Sequence, residues 1–577
     1  MRRIVTPQQT TLFDSYDPVL SERARQRLLD DWPGAFRHVT LELMPVTELG
    51  SHLHDTMGRP SKELYAMAGL ILLMEMMNWT KQEAVTEYCF NMAVHYALNL
   101  EPVAQDLSVR TLERYILKYE QEELAAKVMH DVSTKLVDLL GIKIDLQRLD
   151  STHVFSHMAD LGRTRLMGVA IKRFLAKVKQ YDTDGYESLE DSLRQRYAPS
   201  VHHLFGDTGK DKDSRRLLRQ QVAEDMLALV QRFAEDPAHH NRDTYKAMKR
   251  IFYEQCEVEE EKVSVKEKPG GNVIQNPSDP DATRDGHKGA GYQVQISETC
   301  HPDNEVQLVT SALPQTAVES DSEALEPILE DLKESNLLPE QILADASYCS
   351  DENVEKAANA YGVELVGPVP SGSVAEEKVY SLNVDDFDID EKTEEVVCCP
   401  AGHEPMSSVH DPKTGKTHTV MPASACCGCV YGAECPVRNK GGVFSFNHTA
   451  KDRRTAGRRR EESTDAFRER YQRRSGIEGT NSGFKRRTGA GQLRVRGAPR
   501  VFQAIYLKIT GWNILRASVC AKMREIVYQR ASMAILRGYV IRLFALFGRN
   551  TSIRGPVLPF KQFRGDFTGF VSLSAAA

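Results

Sequence analysis

A chain of 577 residues, 41% hydrophobic and 27% charged, with a formal charge of −7, is built like a folded protein of several domains or large insertions. That excludes fibrous repeats and wholesale disorder. The longest apolar run, Leu64 to Trp79, is interrupted by Glu75 and is shorter than the roughly 20 residues of a membrane span, so it reads as a buried helix. Met1-Arg2-Arg3-Ile4-Val5 runs into polar residues without an apolar signal core, and eleven cysteines in so long a chain are no disulfide framework. Both features point to the cytosol.

In chain order, residues 1–135 read as helical. Ser61 is placed to cap Lys62–Trp79, Thr80 to cap Lys81–Leu98, and Ser108 to cap Val109–Tyr119. Short capped helices of this kind suit either a helix-turn-helix DNA reader or a plain bundle. Ile142, Ile144 and Leu146 alternate with polar residues, which predicts a strand ending at Asp150. Helical spacing returns over 164–261, with Leu217, Val222, Met226, Leu229 and Phe233 on one face. A loop rich in Gly, Pro and Asp spans Glu267 to Gly291. Two strands are expected at Tyr292–Ile296 and Val306–Leu308, then a helix from Ser322 to Glu334 opened by Ser320 or Asp321. The short apolar strand Gln341–Ala344 ends at Asp345, Ser350 caps a helix that stops near Gly362, and Val363–Val366 is a fifth strand. The expectation is a mixed α/β sheet, built from 136–163 and 262–370, with a helical insertion after its first strand.

Charge is unevenly spread beyond that point. Ser371 to Val397 holds nine acids and two lysines. Between Lys451 and Arg530 there are 21 Lys and Arg against 7 Asp and Glu, leaving the rest of the chain at −21. A basic segment in an acidic protein points to a polyanionic partner, because neutralising phosphates releases counterions. A solvated basic face paired with the acidic run is the plainer alternative. The tail, 526–577, mixes apolar residues with Arg537, Arg542, Arg549 and Arg554 and is open to either reading.

Asp150 and Asp345 both end predicted strands, the edge where α/β sheets build sites. Within the basic segment, Tyr471, Arg474, Glu478 and Lys485 lie at offsets of 0, 3, 7 and 14 residues, one stripe of a helix. One carboxylate, two cations and a tyrosine suit phosphodiester chemistry. Gly476, Gly479 and Gly483 weaken such a helix but would admit a close DNA backbone. Between Cys398 and Cys435 lie six of the eleven cysteines. Cys399, Cys426 or Cys427, Cys429 and Cys435 offer a tetrahedral zinc set; taken as Cys399, Cys427, Cys429 and Cys435 it contains no C-x2-C pair. His403 is an alternative ligand, and the scattered cysteines are structural. No dinucleotide-binding or P-loop motif is present, so no nucleotide cofactor is expected.

The segment Tyr471-x2-Arg474-x3-Glu478-x6-Lys485 resembles the Tyr-Arg-Glu-Lys signature of bacterial insertion-sequence transposases of the DDE type. "RLDST" around Asp150, "ILADASYCS" around Asp345, "DPDA…KGAGYQVQIS", the N-terminal "GRPSKELYAMAGLILL" and "RGAPRVFQAIYLKITGWNILR" are similar to further parts of those enzymes. The resemblance implies an RNase H-like core in which Asp150, Asp345 and Glu478 bind two Mg2+ or Mn2+ ions. It also implies double-stranded DNA, both transposon ends and target, as the partner, engaged by a homodimer. Tyr471, Arg473, Arg474, Lys485, Arg486, Arg487, Arg494 and Arg496 would contact that DNA. The Cys-rich insertion departs from the commoner β-stranded one. Two other readings remain: a nuclease or resolvase with the same core but no strand transfer, or a catalytically idle DNA-binding regulator.

Overall fold

The computed structural model describes residues 1–7, 15–206, 211–260, 262–370, 382–390 and 392–533. The acidic stretch over 371–381 and the four tail arginines named above lie outside them. At the centre is a mixed sheet of β1 (Leu146–Val154), β2 (Gly289–Thr299), β3 (Val309–Thr316), β4 (Gln341–Leu343) and β5 (Glu364–Val366), in the order β3-β2-β1-β4-β5. The long β2 is antiparallel to both β1 and β3, whereas β4 and β5 run parallel to β1. A short strand, Thr283–Asp285, pairs with the start of β2 inside the predicted loop.

Two strand boundaries differ from expectation. β1 starts at Leu146 and continues to Val154, so Asp150 lies in mid-strand opposite Ile296 rather than at its end. Alternation fails as a guide here because Ser151, Thr152 and His153 are polar, yet the last two are buried by what packs on the sheet. β3 begins after Leu308, not at Val306.

The helices follow their capping chemistry. α1 (Leu64–Met76) is buried almost all round, and its N-cap is Glu63 rather than Ser61, with the Glu63 carboxylate accepting from the Tyr65 and Ala66 amides. Glu75 is tolerated in this apolar helix because the Lys508 ammonium lies 3.0 Å away. Thr80 forms a capping box with Glu83, but Asn91 interrupts the expected helix, dividing it into Lys81–Phe90 and Met92–Ala97. Ser108 caps Val109–Gln121 as read from sequence. Then come α2 (Leu124–Leu140), α3 (Asp321–Glu334), α4 (Ala450–Glu462), α5 (Asp465–Tyr471), α6 (Gly476–Thr488) and α7 (Ala498–Ser518).

One hydrophobic cluster joins α1, α2, α3, α7 and the β4–β5 side of the sheet, through Leu70, Leu136, Leu329, Ile514 and Ile342. The helices between β1 and β2, chiefly Arg163–Tyr181, Lys212–Arg232 and Asp243–Gln255, hold a second cluster around Phe174, Met226 and Ile251. Leu217 faces solvent there, outside the core the periodicity suggested. Among the described residues no helix is long and apolar enough to cross a membrane.

Candidate active site

Parallel pairing of β1 with β4 runs to Arg148 opposite Leu343. Two residues further on in each strand are Asp150 and Asp345, so the register brings the two acids level at one edge of the sheet. On its other side the end of β4 is held to β5, where the Ala344 amide donates to the Val366 carbonyl at 2.9 Å. The Ser347 amide and hydroxyl then donate to the Asp345 carboxylate, fixing the loop.

A single guanidinium nitrogen joins the two acids. Arg474 Nη2 lies 3.1 Å from Asp150 Oδ1 and 3.7 Å from Asp345 Oδ2. The other Asp150 oxygen accepts from Asn481 Nδ2 at 3.2 Å. Burial raises the Asp150 pKa above the usual carboxylate range; Arg474 opposes this, and the charges of Asp345 and Asp321 add to it. The pocket therefore favours a positive charge between its carboxylates.

Sequence reasoning did not assign Asp321 to this site. It opens α3, accepts from Gln295 Nε2 at 2.8 Å, and receives the hydroxyls of Ser151 and Ser347 at 3.3 and 3.4 Å. These residues directly follow Asp150 or lie two beyond Asp345, so Asp321 ties both acid-bearing segments together.

Glu478 is in the first turn of α6, exposed, and makes no hydrogen bond or ion pair among the described residues. Its placement follows from its neighbours. Asn481, three residues later on α6, reaches Asp150, so Glu478 lies on the same side of that helix, while Arg474 reaches Asp150 from the turn before it. The expected continuous helix over 471–485 is instead α5, a 3-10 turn at Gln472–Ser475, and α6. The three acids are not gathered into one set of closely spaced ligand atoms. Among the described residues only Asp182, Asp236 and His239, in the helical insertion, have ligand atoms within 4.8 Å of one another. Asp150 and Asp345 are spanned by Arg474, and Glu478 stands off in solvent. The donors are nevertheless all oxygen, and two of them already share a cation, which fits a hard divalent ion.

Tyr471 is half-buried and stacks on Phe467 with ring centres 5.5 Å apart, and burial pushes its pKa up to about 12. Burial also lowers the pKa of half-buried Lys485, assisted by nearby Lys288 and opposed by Asp150. The side chains of Arg473, Arg486, Arg487 and Arg496 are exposed, while Arg494 lies 3.4 Å from Glu83.

Two of the three α6 glycines serve the fold rather than a close DNA backbone. A Cβ on Gly476 would lie 2.0 Å from Arg148 Nη1, and one on Gly483 would lie 2.7 Å from the Trp512 ring. Only Gly479 faces open space. Gly479→Ala should therefore leave stability unchanged or raise it by up to about 1 kcal/mol through helix propensity, whereas Gly483→Ala should lower it. Chemical denaturation of both variants checks this, and a Gly479→Ala loss of DNA affinity would mark a close contact at that position.

Beneath α6 is a buried ion network absent from the sequence reading. Glu298 is fully buried, with Arg148 Nε at 2.7 Å, the Thr480 hydroxyl at 2.8 Å and the Arg516 guanidinium against its other oxygen. Arg148 also donates to the Arg473 carbonyl at 3.0 Å. β1, β2, the 3-10 turn, α6 and α7 are thus pinned at one carboxylate. In the Cys-rich region, Cys399, Cys426, Cys429 and Cys435 line one cavity with His403, while Cys427, the alternative to Cys426, is exposed and is not among its lining residues.

Residues 398–517 match the family model described as "Transposase DDE domain". The match covers about a fifth of the chain, including the Cys-rich segment, Glu478 and α7, but neither Asp150 nor Asp345. No curated protein matches the chain. Among solved structures, a cryo-EM piggyBac transposase synaptic complex with hairpin DNA is similar at 10% identity, covering 68% of this chain and 77% of that one. Its TM-score of 0.21 is too low to carry any argument about this fold.

Proposed function

We propose that the protein is a DNA transposase of the DDE type, which cuts the ends of an insertion sequence and joins them to target DNA. The observation that carries this reading is the level pair Asp150 and Asp345 bridged by Arg474, beneath a helix whose Glu478 falls inside the matched transposase segment. The strand order β3-β2-β1-β4-β5, with only β2 antiparallel to β1, supports an RNase H-like core. Asp150, Asp345 and Glu478 would hold two Mg2+ or Mn2+ ions. When bound, such ions lower the pKa of the attacking water or 3′-hydroxyl and stabilise the leaving oxygen of an in-line displacement.

The chain's own residues supply binding and orientation. Arg474 offsets the repulsion between Asp150 and Asp345, and its charge becomes available to a scissile phosphate once another cation occupies that position. Asp321 holds Ser151 and Ser347 and so sets the directions of both acid-bearing segments. Lys485 faces the same edge, while Arg486 and Arg487 extend the cationic surface along α6 for the DNA backbone. Tyr471, half-buried against Phe467, would position the same strand. Double-stranded DNA is the partner, and pairing of two ends calls for a homodimer in the complex.

The test combines binding with cleavage. Purified protein with Mg2+ should nick DNA carrying the inverted repeats that flank its reading frame, and then join the 3′ ends to a target plasmid. Arg486→Ala with Arg487→Ala should weaken retention and reduce the dependence of log affinity on log salt by about 0.9 per lost phosphate contact. Binding without strand scission would sink the enzymatic reading. Scission without joining would indicate a nuclease.

A further inference from the structure

We propose that the Cys-rich module between β5 and α4 is a structural zinc site formed by Cys399, Cys426, Cys429 and Cys435, and that it holds α4 against the Asp345 loop.

Cys426-x2-Cys429 is the spacing that lets two thiolates from one tight turn face one ion. The turn is present: the short helix Ala423–Cys426 ends in it, and the Cys429 amide donates to the Cys426 carbonyl at 3.3 Å. Cys399 sits on a second turn, closed by Gly402 at φ +81° donating to the Cys399 carbonyl at 2.7 Å, while the Cys399 amide donates to the His403 carbonyl. Cys435 completes the set from the other end of the 429–435 loop. All four line one cavity, and all four are free thiols, a combination that reducing conditions do not disturb. Their sulfurs are not yet at ligand spacing among the described residues. A Zn–S distance of about 2.3 Å requires sulfurs about 3.8 Å apart, so the two turns would draw together on binding. Exposed Cys427 points elsewhere on the same turn. His403 is not needed once four thiolates fill a tetrahedron.

A second observation shows why the module needs a metal. Among the described residues its sheet, Ser407–Asp411, Lys416–Met421, Arg438–Lys440 and Val443–Thr449, is backed by a small apolar cluster of Val384, Phe387, Ile389, Val396 and Phe446, with Met421 buried besides. Cys399 and Cys435 pack on the rim of that cluster. So small a core does not hold a separate unit without a cross-link or an ion.

The site's consequence lies in the covalent path. Val443–Thr449 runs straight into α4, where Thr449 and Asp452 form a capping box. From α4, Arg454 pairs with Asp351 at 2.7 Å and Arg458 donates to the Cys349 carbonyl at 3.0 Å, just beyond Asp345. Zinc would therefore fix the strand that launches the helix bracing this loop.

The experiment uses the full-length protein without DNA, so its outcome is independent of cleavage. Metal analysis should find one zinc per chain. Replacement by Co2+ should give the intense thiolate-to-metal absorption of a tetrahedral S4 site. Cys399→Ser, Cys426→Ser, Cys429→Ser and Cys435→Ser should each lower zinc content and the unfolding temperature, while Cys427→Ser and His403→Ala should retain both. If the ligand variants do not fold, the Co2+ spectrum of the wild-type protein still decides the matter. A metal-free wild type, a disulfide within the quartet, or equal zinc loss from Cys427→Ser would overturn the assignment.

Discussion

Glu478→Gln is expected to reduce strand cleavage by roughly two orders of magnitude or more, the size of effect produced by removing a preorganised charge from a reacting centre. It should leave the unfolding free energy within about 0.5 kcal/mol of wild type. The second expectation follows from the structure: Glu478 is exposed and has no hydrogen-bond or ion-pair partner among the described residues. Its side chain does no structural work, and Asn481, one turn later on the same helix, reaches Asp150; the proposed function therefore assigns Glu478 to chemistry. The measurement is cleavage of end-bearing DNA in Mg2+ beside a denaturation curve. Cleavage at the wild-type rate would remove Glu478 from the mechanism, and a large fall in stability would show that its side chain holds the fold.

The opposite pattern is expected at Glu298. Glu298→Ala strips the shared acceptor from Arg148, Arg516 and Thr480 and leaves buried cationic groups unpaired. Breaking a buried ion network of this kind costs about 3–5 kcal/mol. The loss should appear first as a lower denaturant midpoint. Cleavage should fall with it, because α6 and the 3-10 turn carrying Arg473 lose their anchor to β1. Glu298→Gln keeps the shape and one acceptor but sets an amide donor against a donor, so it should recover only part of the loss. A midpoint unchanged in Glu298→Ala would mean that water or another acid satisfies the arginines.

The contrast between these two acids shows what a sequence reveals. Asp150 and Asp345 are noticeable because each breaks an apolar alternation, and Glu478 because its offsets from Arg474 and Lys485 follow a helical stripe. Capping chemistry is equally local, so Thr80, Ser108 and Ser350 are read correctly. Glu298 gives no such signal: it lies two residues past the predicted strand Tyr292–Ile296, and its partner Arg516 returns only more than 200 residues later. Asp321 is hidden differently, because an acid in the first turn of a helix is ordinary helix-dipole chemistry. Sequence alone leaves Cys426 and Cys427 open as candidate ligands, since adjacent residues differ only in which way a turn points them: Cys426 lines the cavity and Cys427 is exposed. The glycines of α6 misled for a similar reason, as their neighbours Arg148 and Trp512 come from remote strands and helices.

The single cluster uniting α1 with α7 has a consequence for biosynthesis. α1 is apolar on every side and emerges from the ribosome early, whereas Leu507, Ile514 and Lys508, which cover it and neutralise Glu75, are made more than 400 residues later. At elongation rates of about 5–20 residues per second, the nascent chain must shelter that surface for roughly 20–90 s. Supply of functional molecules would then depend on holdase capacity, and any premature stop upstream of α7 would yield an aggregation-prone fragment instead of a partly working protein.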